Sequence, residues 1–470
     1  MKTTFPLTPV LQRNFSPKLQ QFLHGRILLL NEIPFPKEEI DLHIKNGWIE
    51  KRPGLSSDSS GWLCHRCHNQ IRRFYTTFPC ALCRRDCVYC RRCLMMGRVS
   101  ECTSLYRWIG PPLEWNFGRC LKWDGLLSAG QAAASDAVVA AVRDMKELLI
   151  WAVCGAGKTE VLFSGIGEAL RLGQRICIAT PRTDVVLELV PRIKKVFPSI
   201  LVAALYGGSD DRHQFSPLMI STTHQLLRFE HAFDTIIVDE VDAFPYTFDE
   251  SLQWSVKKAA KPKAARIYLT ATPSKKWQDE CRFGKREFIK IPARFHRRPL
   301  PLPRLVWCGN WQNRLGKSQL PYNVLDWAEK RLKRGKQALI FLPHIELMKK
   351  SLPILKKLHP AIEAVHAEDP LRKVKVERMR AGETPLLLTT TILERGVTFP
   401  NIDVAVLGAE EDIFTEAALV QIAGRVGRSS MYPAGEVTFF HYGRTKAMIQ
   451  ALLHIDGMNK EARKAGQLDE

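Results

Sequence analysis

The sequence predicts an α/β protein of two tandem lobes, each built on a parallel sheet, preceded by a small cysteine-rich metal module. Three observations carry that prediction. Short apolar runs alternate with helical stretches from about residue 126 onward, a proline- and arginine-rich stretch interrupts the alternation once, and eight of the 13 cysteines lie between Cys64 and Cys102. Parallel strands buried on both faces read as continuous apolar runs, because helices cover each side of the sheet. A chain of 470 residues is long enough for two or three domains with sizeable cores.

Composition narrows the function classes. Sixty-nine Lys and Arg against 48 Asp and Glu give a net charge of +21, enough to attract a polyanion and spread too widely for one disordered basic tail. Nucleic acid is the leading partner; a merely basic surface and an anionic membrane face are the alternatives. The longest apolar runs, such as 148–154 and 386–388, fall far short of the roughly 20 residues that cross a bilayer, so no membrane span is expected. The N-terminal "MKTTFPLTPVLQRNF" lacks the apolar core and cleavage site of a secretory signal, and a cytoplasmic protein is expected.

Residues 1–61 carry no chemical motif; "LHGRILLLNEI" and "EIDLHIKNGWI" read as a small folded unit or partner surface. Residues 62–110 form the metal module, with C-x-x-C at 64/67, 80/83, 87/90 and 90/93. Such a turn brings two thiolates to the separation that a tetrahedral zinc ion requires, and two turns complete a four-thiolate shell. In one grouping Cys64, Cys67, Cys90 and Cys93 close a first zinc site and Cys80, Cys83, Cys87 and Cys102 a second. The sequential alternative pairs 64/67 with 80/83 across a zinc-ribbon gap, and His65 and His68 are possible substitute ligands. Arg66, Arg72, Arg73, Arg84, Arg85, Arg91 and Arg92 are expected to leave a basic surface around the thiolates, with Phe74, Tyr75 and Tyr89 presented beside it.

The first lobe, 120–297, holds the strand candidates "LLIWAV", "RICIAT", "LMIST", "TIIVDE" and "RIYLTAT". "KIPARFHRRPLPLPRL" reads as an extended connector. The second lobe, 305–470, restarts with "QALIFLP", "AIEAVHA", "PLLLTT", "VAVLGA" and "VTFFHY", and its last 25 or so residues read as a charged, partly frayed helix.

The chemistry begins at "AVCGAGKTE", which ends with the glycine, lysine and hydroxyl of a phosphate-binding loop but has Ala152 where the usual spacing places its first glycine. Ala152 ends the strand, before the cradle, so the substitution leaves the cradle intact. The backbone N–H groups at Gly155, Ala156, Gly157, Lys158 and Thr159 can wrap a β-phosphate at a helix N-terminus. Lys158 is expected to bridge the β- and γ-phosphates of ATP and Thr159 to ligate Mg²⁺. "TIIVDEVDAF" supplies the partner strand, with Asp239 toward Mg²⁺ and Glu240 polarising the attacking water. Thr270 and Thr272 end another strand. In the second lobe come Thr389 to Thr391, Glu394, Arg395 and Gly396, then "QIAGRVGRS", expected to put Gln421, Arg425 and Arg428 on one helix with both arginines on one face. Arginines from one lobe reaching a phosphate site on the other let a nucleotide hold two lobes together.

In this order and spacing, the segments over about 126–442 resemble superfamily 2 helicases and translocases, which implies two RecA-like lobes. In that family alanine at the first loop position is common. "ATPRTDV" and "STTHQLL" resemble its strand-gripping motifs Ia and Ib. "LSAGQ" resembles its adenine-reading segment, making Gln131 the candidate for the base edge or else an ordinary helix-start glutamine. Trp123 is either a base-stacking or a packing residue. Combined with "YCRRCLMMGRV" just before the motor, "VDEVDAFPY" and "TTTILERGVTFPNIDVAVL", the chain from about 62 to 442 resembles the ComFA family of competence proteins. The PriA replication-restart helicases, whose cysteine module is inserted within the motor, are the alternative.

The ComFA resemblance implies a single-stranded-DNA-stimulated ATPase that drives DNA import during natural transformation, peripheral at the inner face of the cell membrane. It implies as partners a ComFC-like phosphoribosyltransferase, DprA and the membrane channel, and it implies Gly396, Gln421, Arg425 and Arg428 at the nucleotide. A zinc-bearing, ATP-gated clamp without translocation and an RNA helicase remain open, since phosphate contacts do not report the sugar.

Overall fold

The computed structural model describes residues 15–395 and 397–469; Gly396, assigned above to the nucleotide, lies outside them. The first lobe is a seven-stranded parallel sheet in the order Val202–Leu205, Leu218–Thr222, Ile176–Thr180, Phe233–Val238, Ala260–Thr270, Glu147–Ala152 and Phe288–Ile291. Two of these strands went unread in the sequence. Val202–Leu205 is a short run at one edge, and Phe288–Ile291 merges into the segment read as connector, its apolar residues spaced by Lys290. The second lobe is a six-stranded parallel sheet, ordered Arg304–Trp307, Val437–His441, Ile402–Leu407, Gln337–Phe341, Leu386–Thr389 and Glu363–Val365. Leu386–Thr389, Ile402–Leu407 and Val437–His441 are buried along their whole length, as helices on both faces require.

Upstream of the lobes, Ile27–Leu29, Ser104–Trp108 and Ile49–Pro53 form an antiparallel sheet with Ser104–Trp108 at its centre. The helices Pro17–Leu23 and Lys37–Lys45 cover it, and Phe15, Trp48 and Trp108 pack ring on ring. The cysteine segment is therefore an excursion between two strands of this N-terminal unit. Arg175 ties the unit to the first lobe: fully buried, it donates to the carbonyls of His24 and Ser216 at 2.9 and 3.2 Å and lies over the Phe215 ring.

The C-terminal segment is helical, as the sequence suggests, and packed rather than merely charged surface. Lys446–Lys464 is a continuous helix, with Met448, Ala451, Ile455, Met458 and Ala462 buried. Their three- and four-residue spacing is one helical stripe. The helix docks across both lobes: Asn459 exchanges hydrogen bonds with the backbone of Leu300 in the connector, Lys290 of the first lobe pairs with Glu461, and His454 meets Glu416 of the second.

Candidate nucleotide site and cysteine clusters

The phosphate loop joins the buried strand Glu147–Ala152 to the helix Lys158–Arg171. Gly155 and Gly157 hold φ of +81° and +73°, the left-handed region that side chains resist. A Cβ on Gly157 would lie 2.2 Å from the Gln131 amide nitrogen, so a side chain there would be strained in conformation and would push the Gln131 amide aside. Gln131 braces the loop from below: its amide nitrogen donates to the Ala156 carbonyl at 2.9 Å and its oxygen accepts from the Ser128 backbone at 2.9 Å. Trp123 packs edge-on against Phe163 of the loop helix.

Lys158 Nζ donates to the carbonyl of Ala152 at 3.3 Å, at the loop's mouth. Asp239 follows the strand Phe233–Val238, its N–H held by Ala179 of the neighbouring strand. Burial first, then the adjacent Glu240 charge, push the Asp239 carboxyl up to about 6, opposed by Lys158. An acidic pair so placed suits a divalent cation. Glu240 sits at φ +57°, a conformation that costs a side-chain-bearing residue about 1–2 kcal/mol. Its backbone N–H bonds to Asp239 Oδ1, and its buried Oε2 makes no hydrogen bond among the described residues.

The second lobe closes this site. Gln421 Oε1 accepts from the Cys154 thiol at 3.0 Å, and a Cβ on Gly424 would meet Cys154 Cβ at 2.5 Å. Arg425 donates through Nε to the Glu394 carbonyl at 3.0 Å, while both its Nη atoms are buried without a partner. Arg428, half-buried, bonds to the Gly424 carbonyl. The expected shared helix is corrected: the helix ends at Ala423, and both arginines lie on the turn that follows. Gly427 at φ +68°, within 2.3 Å of the Pro433 carbonyl at its virtual Cβ, forces that turn. Unpartnered guanidinium donors, a left-handed glycine cradle and a carboxylate oxygen without a donor are what a nucleoside triphosphate with Mg²⁺ would satisfy.

Two further residues stand beside the acidic pair. Arg395 pairs with Asp242 at 2.6 Å, both nearly sealed from solvent, and stands 3.8 Å from Glu240. The Arg395 charge holds Asp242 well below the usual carboxylate range against the effect of burial. Thr272 donates to Asp242 as well, and its N–H bonds to Thr270 Oγ1. Both residues were visible in "DEVD" and "LERG"; their pairing across the lobes was not. Arg182 of "ATPRTDV" also crosses, donating to the Ile392 carbonyl at 2.8 Å.

In the cysteine segment, Cys64, Cys67, Cys90 and Cys93 converge, as do Cys80, Cys83, Cys87 and Cys102, every sulfur within 4.8 Å of the others in its group. Sulfur–sulfur separations of 3.7, 3.5 and 3.6 Å for 64/93, 67/90 and 80/102 match the roughly 3.8 Å edge of a tetrahedron with zinc–sulfur bonds of about 2.3 Å. Hydrogen bonds from Cys67, Cys90 and Cys93 hold the Cys64 thiol well below its usual range, and the same cluster pushes Cys93 well above. Four sulfurs can all be thiolates only if a cation shares their charge. Both groups fit zinc. His65 instead faces Ser56 and His68 stacks on Trp254.

Not all the arginines form the expected basic surface. Arg66 is fully buried and donates to Glu32, which also binds Arg228, and the Tyr75 hydroxyl turns inward to the Asn69 carbonyl. Phe74 instead lies under Arg92 at 4.3 Å, and Tyr89 packs edge-on to Phe78. The Cys64, Cys67, Cys90 and Cys93 cluster is docked on the first lobe: buried Lys258 donates to the carbonyls of Arg66 and Leu227 at 2.7 and 2.8 Å, and Arg92 pairs with Asp249.

Fold and site together define a helicase-type ATPase with two RecA-like lobes. Residues 125–275 match the type III restriction enzyme res subunit model and 318–430 the helicase conserved C-terminal domain. S. cerevisiae Dbp5 bound to RNA and ADP BeF3 shares the fold, with TM-score 0.52 and 13% identity over 73% of this chain and 96% of that one. The chain belongs to the ComFA family of competence proteins. Residues 12–107 match the competence protein ComFA N-terminal domain. Competence protein ComFA of Bacillus subtilis is 49% identical over 96% of this chain and 97% of that protein, and its Streptococcus pneumoniae counterpart 37% identical over 93% and 98%. The helicase domains imply ATP with Mg²⁺. No helix among the described residues is long and apolar enough to cross a membrane.

Proposed function

We propose that this competence-related ATPase is a DNA-stimulated motor that advances a single strand during DNA import in natural transformation, working from the cytoplasmic face of the membrane. One observation carries the motor reading: the arginine turn of the second lobe lies on the phosphate loop of the first, with Arg425 donors free to take phosphate. When bound, Mg·ATP supplies the bond whose hydrolysis is coupled to movement. Lys158 and the loop N–H groups bind and orient its phosphates, Asp239 and Thr159 hold the cation, and Glu240 accepts the proton of the attacking water. Arg425 and Arg428 sense whether the phosphates are present, and Arg395 carries that state to Asp242 and Thr272. Movement follows if strand grips on the two lobes alternate as the cleft opens and closes. The channel, a phosphoribosyltransferase-like protein and DprA are the partners proposed from the family.

ATP hydrolysis compared with single-stranded DNA, duplex DNA and RNA at one salt concentration tests the substrate. We expect single-stranded DNA to stimulate most, and displacement of streptavidin from a biotinylated strand to separate a motor from a clamp that hydrolyses without moving. Binding should be electrostatic: log affinity should fall linearly with log salt, with a slope of about −0.7 per phosphate neutralised. A flat response would point to protein or membrane binding instead.

We propose zinc as the metal of both cysteine groups and a structural role for it, because a four-thiolate shell leaves no open position for water or substrate. Metal analysis of the purified protein should find two zinc ions per chain. Cys80→Ala should remove only the ion of the Cys80, Cys83, Cys87 and Cys102 group, and Cys64→Ala should cost bound zinc and local folding together, since metal binding is much of such a module's folding free energy. DNA-free hydrolysis should survive both, because every proposed nucleotide contact lies after Cys102.

A further inference from the structure

Arg294 belongs to the connector between the lobes, just past the strand Phe288–Ile291, and no nucleotide motif includes it. Its side chain is 1% exposed. The aliphatic part and Nε pack 3.6–3.8 Å from where a Cβ on Gly155 would stand, so it lies directly against the phosphate loop. Nη1 donates to the Gly427 carbonyl at 2.5 Å, a carbonyl that also meets His296 Nε2 at 2.9 Å, and the Phe295 N–H bonds to the Gly155 carbonyl at 3.1 Å. Nε and Nη2 are buried with no hydrogen-bond partner.

No carboxylate stands within ion-pair distance of Arg294, Arg425 or Arg428 among the described residues, although Arg294 packs on the phosphate loop and Arg425 and Arg428 follow Gly424, which abuts Cys154 of that loop. Burial first pulls the Arg294 guanidinium down to about 10, and the like charge of Arg428 acts in the same direction. A buried guanidinium with two idle donors is costly unless an anion completes it. Arginine's planar fork suits phosphate oxygens in particular.

We infer that Arg294 is a further nucleotide-binding residue, donating to the polyphosphate from the connector while its Nη1 holds the Gly427 turn of the second lobe against the loop. The inference rests on the reading of 152–159 as an ATP site. It makes the connector a sensor: one side chain touches the phosphate loop, the arginine turn and the ligand together, so nucleotide occupancy sets how the turn sits on the first lobe.

The test uses the full chain with Arg294→Met and Arg294→Lys, beside Lys158→Ala. Binding of Mg·ATP is read by calorimetry and by the nucleotide-induced rise in melting temperature. Without nucleotide, Arg294→Met should melt no lower than the wild type, since it removes an uncompensated charge, while ATP affinity falls about tenfold or more. Arg294→Lys keeps the charge but not the fork, and should also bind ATP more weakly, which gives a folded variant should methionine fail. ATP affinity within twofold of wild type in a folded Arg294 variant, with Lys158→Ala impaired, would overturn the inference alone. Wild-type protein that does not bind ATP, or Lys158→Ala that binds it normally, would overturn the nucleotide reading itself.

Discussion

Glu240→Gln should bind ATP with near-normal affinity and lose hydrolysis by a factor of about 10²–10⁴, the range for removing a positioned general base. Glutamine keeps the volume and a hydrogen-bonding oxygen at a backbone position already held at φ +57°, so folding should be unaffected. What disappears is the acceptor for the water's proton. The nucleotide then persists, and the lobes should remain together on it. Lys158→Ala should differ in kind: its ammonium beside the loop mouth attracts phosphate before any chemistry, so binding and turnover fall together. Titration with a fluorescent ATP analogue and steady-state hydrolysis of the two variants separate the roles. Near-normal hydrolysis by Glu240→Gln would remove Glu240 from the proposed chemistry.

Arg395→Ala and Asp242→Ala should each reduce hydrolysis by about 100-fold or more, and the double variant no further. The pair is buried and short at 2.6 Å, and removing one partner of a buried pair leaves an uncompensated charge worth about 3–5 kcal/mol. The partners belong to different lobes, so the molecule can relieve that charge by opening and letting water in. The loss therefore falls on the assembled site more than on the fold of either lobe. Small-angle scattering with a non-hydrolysable ATP analogue should show the single variants more open than the wild type, with melting of the first lobe little changed. Independent, multiplying losses in the double variant would show that the two residues do not act as a unit.

A helicase-type α/β architecture was legible because each lobe repeats a local pattern: an apolar strand, a turn carrying the chemistry, then an amphipathic helix. The phosphate loop was readable despite Ala152 because its chemistry depends on backbone conformation at Gly155 and Gly157, and glycine announces such conformations. Three edge strands, Val202–Leu205, Phe288–Ile291 and Arg304–Trp307 of the second lobe, were less legible. All three are short, and an edge strand needs only one neighbour to be recruited into a sheet.

Other features depended on residues far apart in the chain. Lys258 is buried because the carbonyls of Arg66 and Leu227, both remote in the chain, converge on it. Arg66 reads as basic surface until Glu32 meets it, and the helix carrying Gln421 reads as continuing through Arg428 until Gly427 turns under Pro433.

By itself, then, the sequence determined what recurs at short range: strands, helices, left-handed glycines, C-x-x-C turns and the order of the ATPase motifs. Their causes are backbone sterics and hydrophobic periodicity acting over a few residues. Only the tertiary structure decided which distant groups share a space: which four cysteines converge, that Ser104–Trp108 returns to complete the N-terminal sheet, that Arg395 meets Asp242, and that Arg294 lies between the phosphate loop and Gly427. Those pairings are set by how whole lobes pack, where burial makes a charge or thiol depend on whatever the fold places beside it.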